Sequence, residues 1–219
     1  IQQLILKDVS SLFFMGTGGA GILMQAATDL MVKGSSLPCH NVLCAEVVLT
    51  GHSNLDSNSI VIIPSLSGTT RESITALEYS QQLGATVITL VGHADTPLAK
   101  QADHSFVNFA EDDTSCESFY LQSLVIALAA MSARGERDDY DSLMQELSNL
   151  PEQLLHIKKC FEPRAAELAL KIQDDTYHIV TGSGNVWPEA FYYGMCILEE
   201  MQWIRTRPVH ASDFFHGTL

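Results

Sequence analysis

Apolar residues follow two alternating patterns along the first part of the chain. Short apolar runs predict β-strands, and longer segments with apolar residues at helical spacing predict helices. Strands without polar alternation are typical of a parallel sheet that helices cover on both faces. The pattern therefore predicts an open α/β sheet. Its strands are predicted at residues 11–15, 42–49, 60–64, 86–91 and 105–109, and its helices at 20–33, 70–83 and 116–134.

The same order starts again after a polar break at residues 135–141 and two further helical stretches up to residue 171. An apolar run at 177–181, a glycine turn and a helix from about 188 to 203 repeat the beginning of the chain. We therefore predict a first domain at residues 1–150, and at 151–219 linker helices followed by the start of a second, similar domain. We expect this second domain to be incomplete at Leu219, and the natural start of the protein to lie upstream of Ile1.

Composition and charge narrow the classes of function. The longest apolar run, residues 124–131, is far shorter than the roughly 20 residues of a membrane-spanning helix, so no membrane span is predicted. The formal net charge of −14 repels nucleic acid, and no basic stripe is present in the sequence. Five widely spaced cysteines without a Cys-x-x-Cys pair favour neither disulfides nor a zinc site. A reducing cytoplasm fits this pattern best.

A glycine cluster, residues 16–21, follows the first predicted strand. Backbone N–H groups at such a strand-to-helix turn can point at an anionic or polyhydroxyl ligand. Gly16, Gly18 and Gly21 have the spacing of a dinucleotide fingerprint, but no acidic residue stands about 20 positions further on. A tight turn without any ligand explains the same residues, so this motif alone leaves both interpretations open.

A second turn, Ser65-Leu66-Ser67-Gly68-Thr69-Thr70-Arg71-Glu72, joins a buried strand to a helix. The hydroxyls of Ser65, Ser67, Thr69 and Thr70 can bind phosphate oxygens together with the free N–H groups of the helix N-terminus, without any lysine. Helix capping is the alternative, in which Thr69 caps the helix and Glu72 closes a capping box. The two interpretations are compatible, because one cap uses one hydroxyl.

This second turn matches the S-x-S-G-x-T-x-E signature of SIS (sugar isomerase) domains, and the chain resembles that family over essentially its whole length. The resemblance implies a flavodoxin-like, parallel five-stranded sheet flanked by helices, with a sugar phosphate bound at the turn. Where many relatives have serine, this chain has Gly18, so a hydroxyl contact from the first loop must come from Thr17 or be absent. Glu117 suits the pocket floor, and equally the first turn of a helix, where the dipole favours an acid. The candidate substrate-binding residues are Gly16, Thr17, Gly18, Ser65, Ser67, Gly68, Thr69, Thr70 and Glu117.

The segments 198–203 and 209–217 resemble two-SIS enzymes, namely fructosamine 6-phosphate deglycases and the isomerase domain of glucosamine-6-phosphate synthase. In those enzymes a helix glutamate, the base, precedes a histidine by sixteen residues, as Glu200 precedes His216 here. The resemblance therefore implies that Glu200 and His216 are catalytic. A carboxylate can remove a proton next to a carbonyl, and a histidine can transfer protons of sugar oxygens near neutral pH. A solvated helix face and an ordinary loop histidine are the alternatives for the two residues.

The synthases carry a lysine three residues before the glutamate, where this chain has Ile197. This difference favours deglycation over simple ketose–aldose isomerisation. The hypothesis is that a 1-amino-1-deoxyketose 6-phosphate is cleaved through an enaminol to a hexose 6-phosphate and a free amine, without metal or organic cofactor. The resemblance also implies a homodimer in which the histidine loop reaches the partner's active site. The alternatives are a phosphosugar isomerase, an aminotransferase-type isomerase domain and a non-catalytic phosphosugar sensor.

Overall fold

A five-stranded parallel sheet dominates the computed structural model, which describes residues 1–6, 8–110 and 117–218. The strand order is β2-β1-β3-β4-β5, and every neighbouring pair is parallel. The predicted open α/β sheet is therefore confirmed. The strands are β1 (Ser11–Gly16), β2 (Cys39–Leu43), β3 (Ser59–Ser65), β4 (Thr86–Val91) and β5 (His104–Val107).

Helices cover both faces of this sheet. Neighbouring residues of β1 lie in opposite apolar layers, as the two-residue period of a strand requires: Phe14 packs with Ile62 and Met31, and Phe13 packs with Val61 and Leu77 on the other face. The helices are α1 (Gln2–Ile5), α2 (Gly18–Ile22), α3 (Gln25–Gly34), α4 (Cys44–Thr50), α5 (Arg71–Gln82), α6 (Pro97–Gln101) and α7 (Glu117–Ala133).

The strand predicted at residues 42–49 is wrong, because β2 ends at Leu43 and α4 begins at Cys44. Cys44 and Val47 are both buried, whereas Leu49 is exposed. Residues three apart share one face in a helix and lie on opposite faces in a strand. A short apolar run cannot separate these two patterns, and the sequence alone therefore gave the wrong element.

The second part of the chain contains a separate two-stranded parallel sheet. The predicted order of strand, glycine turn and helix is present there, but the helix changes from α to π geometry at Tyr193. Strand β7 was not predicted, because Thr-Arg-Pro-Val-His has little apolar character and a proline. The elements are α8 (Tyr140–Ser148), α9 (Leu150–Ile172), β6 (His178–Gly182), α10 (Val186–Tyr192), a π-helix (Tyr193–Met201), β7 (Thr206–His210) and a 3-10 helix (Phe214–His216).

The connection between the two parts is exposed. No residue of α8 or α9 is buried, although α9 is 23 residues long. In the described ranges, no helix has both the length and the apolar character that crossing a bilayer requires. A domain boundary near residue 150 stays a prediction.

Candidate functional site

The carboxyl ends of β1 and β3 lie side by side at one edge of the sheet, since Phe14 pairs with Ile62 and the strands end at Gly16 and Ser65. The chain leaves β1 toward β2 on one side and leaves β3 toward β4 on the other. Ligands of open α/β sheets bind at such a change of direction, outside the carboxyl ends of the strands. The glycine cluster and the hydroxyl-rich turn both lie at this position.

The turn between β3 and α5 holds its four hydroxyls in two pairs. The Oγ of Ser65 lies 3.1 Å from the Oγ1 of Thr70, and Thr69 Oγ1 donates to Ser67 Oγ at 3.0 Å. Ser65 is 4% exposed, while Ser67 and Thr69 are exposed to solvent. The first pair therefore forms the floor of the turn and the second pair its rim.

Gly68 lies between the two pairs and determines the path of the turn. Its φ is +63°, in the left-handed region that favours glycine, and its N–H donates to the Ser65 carbonyl at 3.1 Å. A Cβ at this position would also overlap the side chain of Thr96. Gly68 therefore shapes the turn through its backbone.

The alternative interpretation of the turn, a capping box of Thr69 and Glu72, is wrong. The N-cap residue of α5 is Thr70, and its side chain makes no capping hydrogen bond. Its Oγ1 is paired with Ser65 instead. The first N–H groups of a helix have no acceptor within the helix, and together with the helix dipole they favour an anion. The hydroxyls of the turn and the N-terminus of α5 can thus bind the same anion.

The glycine cluster brings two stretches of backbone together. A Cβ at Gly16 would overlap the backbone of Gly21, and Gly18 has a φ of +56° with open space around it. The Oγ1 of Thr17 is buried and has no hydrogen-bond partner. It lies near the thiol of Cys44. Burial raises the pKa of that thiol, and the nearby Thr17 hydroxyl lowers it in part, although no hydrogen bond forms between the two groups. The prediction that Thr17 contacts the ligand is not tested, and its hydroxyl is free of hydrogen bonds within the described residues.

The glycine cluster also contacts the helix that carries Glu200. A Cβ at Gly19 would lie 2.6 Å from Tyr192 Cε2 and 2.9 Å from Cys196 Sγ, so only glycine allows this approach. Glu200 follows Cys196 by about one helical turn. The role of Gly19 was not predicted from the sequence, where the pair Gly18-Gly19 was the only signal for it.

Glu200 lies in the last turn of the π-helix, with its side chain exposed. Gly194 in the same helix packs on β7, because a Cβ there would be only 2.7 Å from Pro208 Cγ. π-Helical turns are rare and are frequently found at functional sites. The apolar pattern of this segment predicted a helix but contained no signal for its π geometry.

His216 is the last residue of the 3-10 helix and is also exposed. The rings of Phe214 and Phe215 lie edge to face at 5.1 Å, and Phe215 is 76% exposed. Within the part of the chain that is described, Glu200 and His216 share no hydrogen bond or ion pair. The structure therefore brings the paired hydroxyls together, whereas no hydrogen bond or ion pair joins the two candidate catalytic side chains in the described ranges.

Glu117 begins α7, and its side chain lies outside the described residues, as do residues 111–116 before it. The prediction that Glu117 lines the pocket floor is thus not tested. Among the residues that are described, no group of three or more His, Cys, Asp or Glu side chains could hold a metal ion.

Comparison with known proteins identifies the family. Residues 5–132, more than half of the chain, match the sequence pattern of the family described as the SIS domain. This chain belongs to the SIS domain family. Its sequence is 24% identical to fructosamine deglycase FrlB of Bacillus subtilis (strain 168), over 99% of this chain and 67% of the relative. It is 23% identical to fructoselysine 6-phosphate deglycase of Escherichia coli (strain K12), over the whole chain and 64% of that relative.

A solved structure from Salmonella typhimurium LT2, described as that of a phosphosugar isomerase, superimposes with a TM-score of 0.91. The two sequences are 26% identical, and the match covers 99% of this chain and 67% of that one. The similarity thus extends past the SIS domain through β6, β7 and the π-helix. This chain spans about two thirds of the length of these relatives.

A groove of about 390 Å³ lies where the SIS domain meets the second part of the chain. One of its walls contains Ile197, the residue that replaces the lysine of the synthases. Burial, and then the charge of Glu189, raise the pKa of Tyr120 in the same groove. Nothing in the sequence indicated this groove. Its lining residues are Leu23, Tyr120, Leu121, Leu150, Leu154, Glu189, Tyr192, Tyr193 and Ile197.

Proposed function

We propose that this protein is a deglycase that cleaves a 1-amino-1-deoxyketose 6-phosphate to a hexose 6-phosphate and a free amine in the cytoplasm. One observation carries the proposal. The contact of Gly19 with Cys196 joins the helix of Glu200 to the loop that follows β1, beside the hydroxyl-rich turn that follows β3. This connection between the proposed phosphate-binding turn and the helix of the proposed base supports a single site that contains both.

The phosphate is bound at the turn by the hydroxyls of Ser65, Ser67 and Thr70 and by the first N–H groups of α5. These donors are neutral, so a dianion is held by directed hydrogen bonds and by the helix dipole. Gly16, Thr17 and Gly18 offer backbone N–H groups, while Gly68 and Thr69 complete the turn. The net charge of −14 makes such local donors necessary.

The carboxylate of Glu200 removes a proton from C1 of the open-chain substrate, and an enaminol forms. His216 assists opening of the sugar ring by moving protons of its oxygens. Return of a proton to C2 gives the imine of the aldose 6-phosphate, and water then releases the amine. In the last step water adds to C1, and the carbinolamine so formed expels the protonated amine as its C1–N bond breaks. No step changes the overall oxidation state, so acid–base groups suffice for the reaction.

Two observations favour deglycation over isomerisation. Two relatives that match the whole chain over about two thirds of their own length are called fructosamine deglycase and fructoselysine 6-phosphate deglycase, whereas an isomerizing glutamine–fructose-6-phosphate aminotransferase matches the chain over 36% of its own length. Ile197, in the wall of the groove, offers no amino group to assist an isomerase-type ring opening. Membership of a family of phosphosugar deglycases and isomerases supports enzymatic activity, and the named substrate class is our proposal.

The active form in this proposal is a homodimer with shared sites, in which His216 acts in the partner's site. Its support is that His216 lies on an exposed segment beside the exposed ring of Phe215, and shares no hydrogen bond or ion pair with Glu200 among the described residues. An exposed aromatic ring next to a candidate catalytic group is suited to burial by a partner surface.

The test is to incubate the protein with several fructosamine 6-phosphates and to measure release of hexose 6-phosphate. Fructose 6-phosphate serves as the matched control, because it lacks the amine. The expected result is formation of an aldose 6-phosphate from the fructosamine 6-phosphates and none from fructose 6-phosphate. Conversion of fructose 6-phosphate to glucose 6-phosphate would show an isomerase, and binding by calorimetry without turnover of either compound would show a sensor.

A further inference from the structure

Residues 92–98, which leave β4 and begin α6, pack against the hydroxyl-rich turn that follows the neighbouring strand β3. The N–H of Gly92 donates to the Leu66 carbonyl at 3.0 Å. The N–H of Leu98 donates to the Gly68 carbonyl at 3.2 Å. A Cβ on Gly92 would lie only 2.9 Å from the Leu66 carbonyl oxygen, so only glycine allows this approach. The turn is therefore attached at two points to a segment that contains none of the candidate binding residues.

These two hydrogen bonds also determine where the amides of the turn point. In a trans peptide the N–H points away from the carbonyl of the preceding residue. Because the Leu66 and Gly68 carbonyls point toward residues 92–98, the N–H groups of the residues that follow them point to the opposite side. The N–H of Thr69 accordingly donates to Ser67 Oγ at 3.3 Å, on the rim of the turn. The two hydrogen bonds thus direct donors toward the rim and keep carbonyl oxygens, which would repel an anion, away from it.

Thr96 holds this segment in its path. It is buried, and its Oγ1 donates to the His93 carbonyl at 3.1 Å and accepts the N–H of Ala99 at 3.4 Å, which caps α6. The same side chain lies directly against Gly68, where a Cβ would overlap Thr96 Oγ1 and Cβ. One buried threonine thus fixes the path of residues 92–98 and contacts the residue of the turn that has a positive φ.

We propose that Thr96 is a positioning residue of the phosphate site. It holds residues 92–98 where they bind the carbonyls of the turn, and it thereby keeps the N–H groups of the turn directed at the phosphate. Thr96 itself is buried and does not contact the substrate. The inference rests on the proposed function for the presence of a phosphosugar at the turn, but not for deglycation. If Thr96 served only as the cap of α6, its loss would lower stability and leave affinity unchanged.

Two substitutions of Thr96 test this role on the full chain, with fructose 6-phosphate as the ligand. Thr96→Val keeps the branched shape, which suits the extended backbone at this residue (φ −124°, ψ 156°), and removes both hydrogen bonds. A displaced turn that loses one hydrogen bond to the phosphate should bind about tenfold more weakly, as measured by calorimetry. Thr96→Ser keeps the hydroxyl and should retain the affinity within about twofold, since serine is as good a cap as threonine.

Thr28→Val is the matched control, because Thr28 is a buried threonine of α3 whose Oγ1 donates to the Met24 carbonyl at 3.1 Å. It should keep the affinity of the unmodified protein. Thermal unfolding of every variant separates a change in affinity from a change in stability. A Thr96→Val protein that unfolds at lower temperature but binds fructose 6-phosphate normally would overturn the inference. Equal losses of affinity in Thr96→Val and Thr96→Ser would overturn it too.

Hydrogen exchange in the unmodified protein gives a test that does not depend on how the variants fold. Coupling between two sites is reciprocal, so bound fructose 6-phosphate should slow exchange of the Gly92 and Leu98 amides. The amide of Ser35, which donates to the Met31 carbonyl, is the internal control and should not change. Unchanged exchange at both Gly92 and Leu98, or no binding at all, would overturn the inference. Fructosamine 6-phosphates that bind but are not cleaved would contradict deglycation alone, because none of these measurements requires turnover.

Discussion

The two parts of the chain differ in how firmly they hold their candidate residues. In the SIS domain, every residue of β1 and β3 is buried, and Ser65 ends a fully buried strand. In the second part, β6 buries only Gly182, no residue of α9 is buried, and both Glu200 and His216 are exposed. The proposed binding groups are therefore set by a packed core, whereas the proposed catalytic groups lie on surfaces that a partner could cover. Affinity and turnover should respond separately to substitutions.

The largest difference between the effect on turnover and the effect on affinity is expected for Glu200→Gln. The amide keeps the shape of the side chain but cannot accept the C1 proton, so kcat should fall by about 10²- to 10⁴-fold. The dissociation constant for the phosphosugar should stay nearly unchanged. Stopped assays and calorimetry measure the two quantities. Glu199→Gln, the exposed neighbour in the same helix, is the control and should keep kcat within a few-fold. Lost affinity with normal turnover in Glu200→Gln would reverse the assignment.

Mixing inactive Glu200→Gln and His216→Ala proteins tests the shared site. After subunit exchange, one site of each heterodimer contains both defects and the other contains none. About one site in four should then be active. Mass spectrometry verifies the exchange. If the verified mixture stays inactive, each chain uses its own His216, and the model of a shared site must be abandoned.

Thr70→Val removes the hydroxyl paired with Ser65. We expect a smaller effect from this change, and we expect it on affinity instead of on turnover. Loss of one hydrogen bond to a charged group costs about 1.5–3 kcal/mol, so phosphosugar affinity should fall roughly ten- to a hundredfold. Thr75→Val is the control on the same helix, because its Oγ1 donates only to the Arg71 carbonyl. Equal affinity for Thr70→Val and Thr75→Val would count against a phosphate at this turn.

Gly19→Ala tests the contact between the two parts. Alanine favours a helix over glycine by about 1 kcal/mol, so without the contact this change would stabilise α2. The new methyl would collide with Tyr192 and Cys196, and we expect a net loss of about 1–3 kcal/mol in unfolding free energy. Chemical denaturation measures it. A more stable Gly19→Ala protein would contradict the observed packing.

The smallest effect concerns acid stability of the SIS domain. Burial raises the pKa of Glu136, but hydrogen bonds from Ser35, Ser36 and Arg134 outweigh it and hold that pKa at about 2. Because the folded pKa lies below the unfolded value, this stabilisation is present above about pH 5 and is lost as pH falls toward 2. Glu136→Gln should lower the free energy of unfolding by about 1 kcal/mol or less, and only above about pH 5. An equal loss at pH 3 and pH 7 would contradict this origin.

The fold of the SIS domain could be predicted from the sequence, because its buried strands have unbroken apolar runs such as residues 60–63. The signature at 65–72 also located the hydroxyl-rich turn. The π-helix, strand β7 and the approach of Gly19 to Cys196 could not be predicted. They depend on close contacts that Gly19 and Gly194 make with residues far apart in the chain. Because glycine has no side chain, these contacts leave no trace in the apolar pattern of the sequence.

The capping box shows a second limit of prediction from the sequence. Thr69 and Glu72 have the right spacing for it, yet the helix begins one residue later and Thr70 turns its hydroxyl to Ser65. Local spacing indicates which hydrogen bonds are possible, and the position of the neighbouring strand decides which of them form.

The turn between β3 and α5 has one further consequence, for behaviour in salt. Proteins that hold phosphate with lysine and arginine lose affinity as ionic strength rises, because the attraction is screened. Here the proposed donors are uncharged hydroxyls and amides, and the surrounding protein carries a net charge of −14. Added salt would mainly screen the repulsion between the protein and the incoming dianion. Phosphosugar binding should therefore tighten, or at least not weaken, as salt concentration increases.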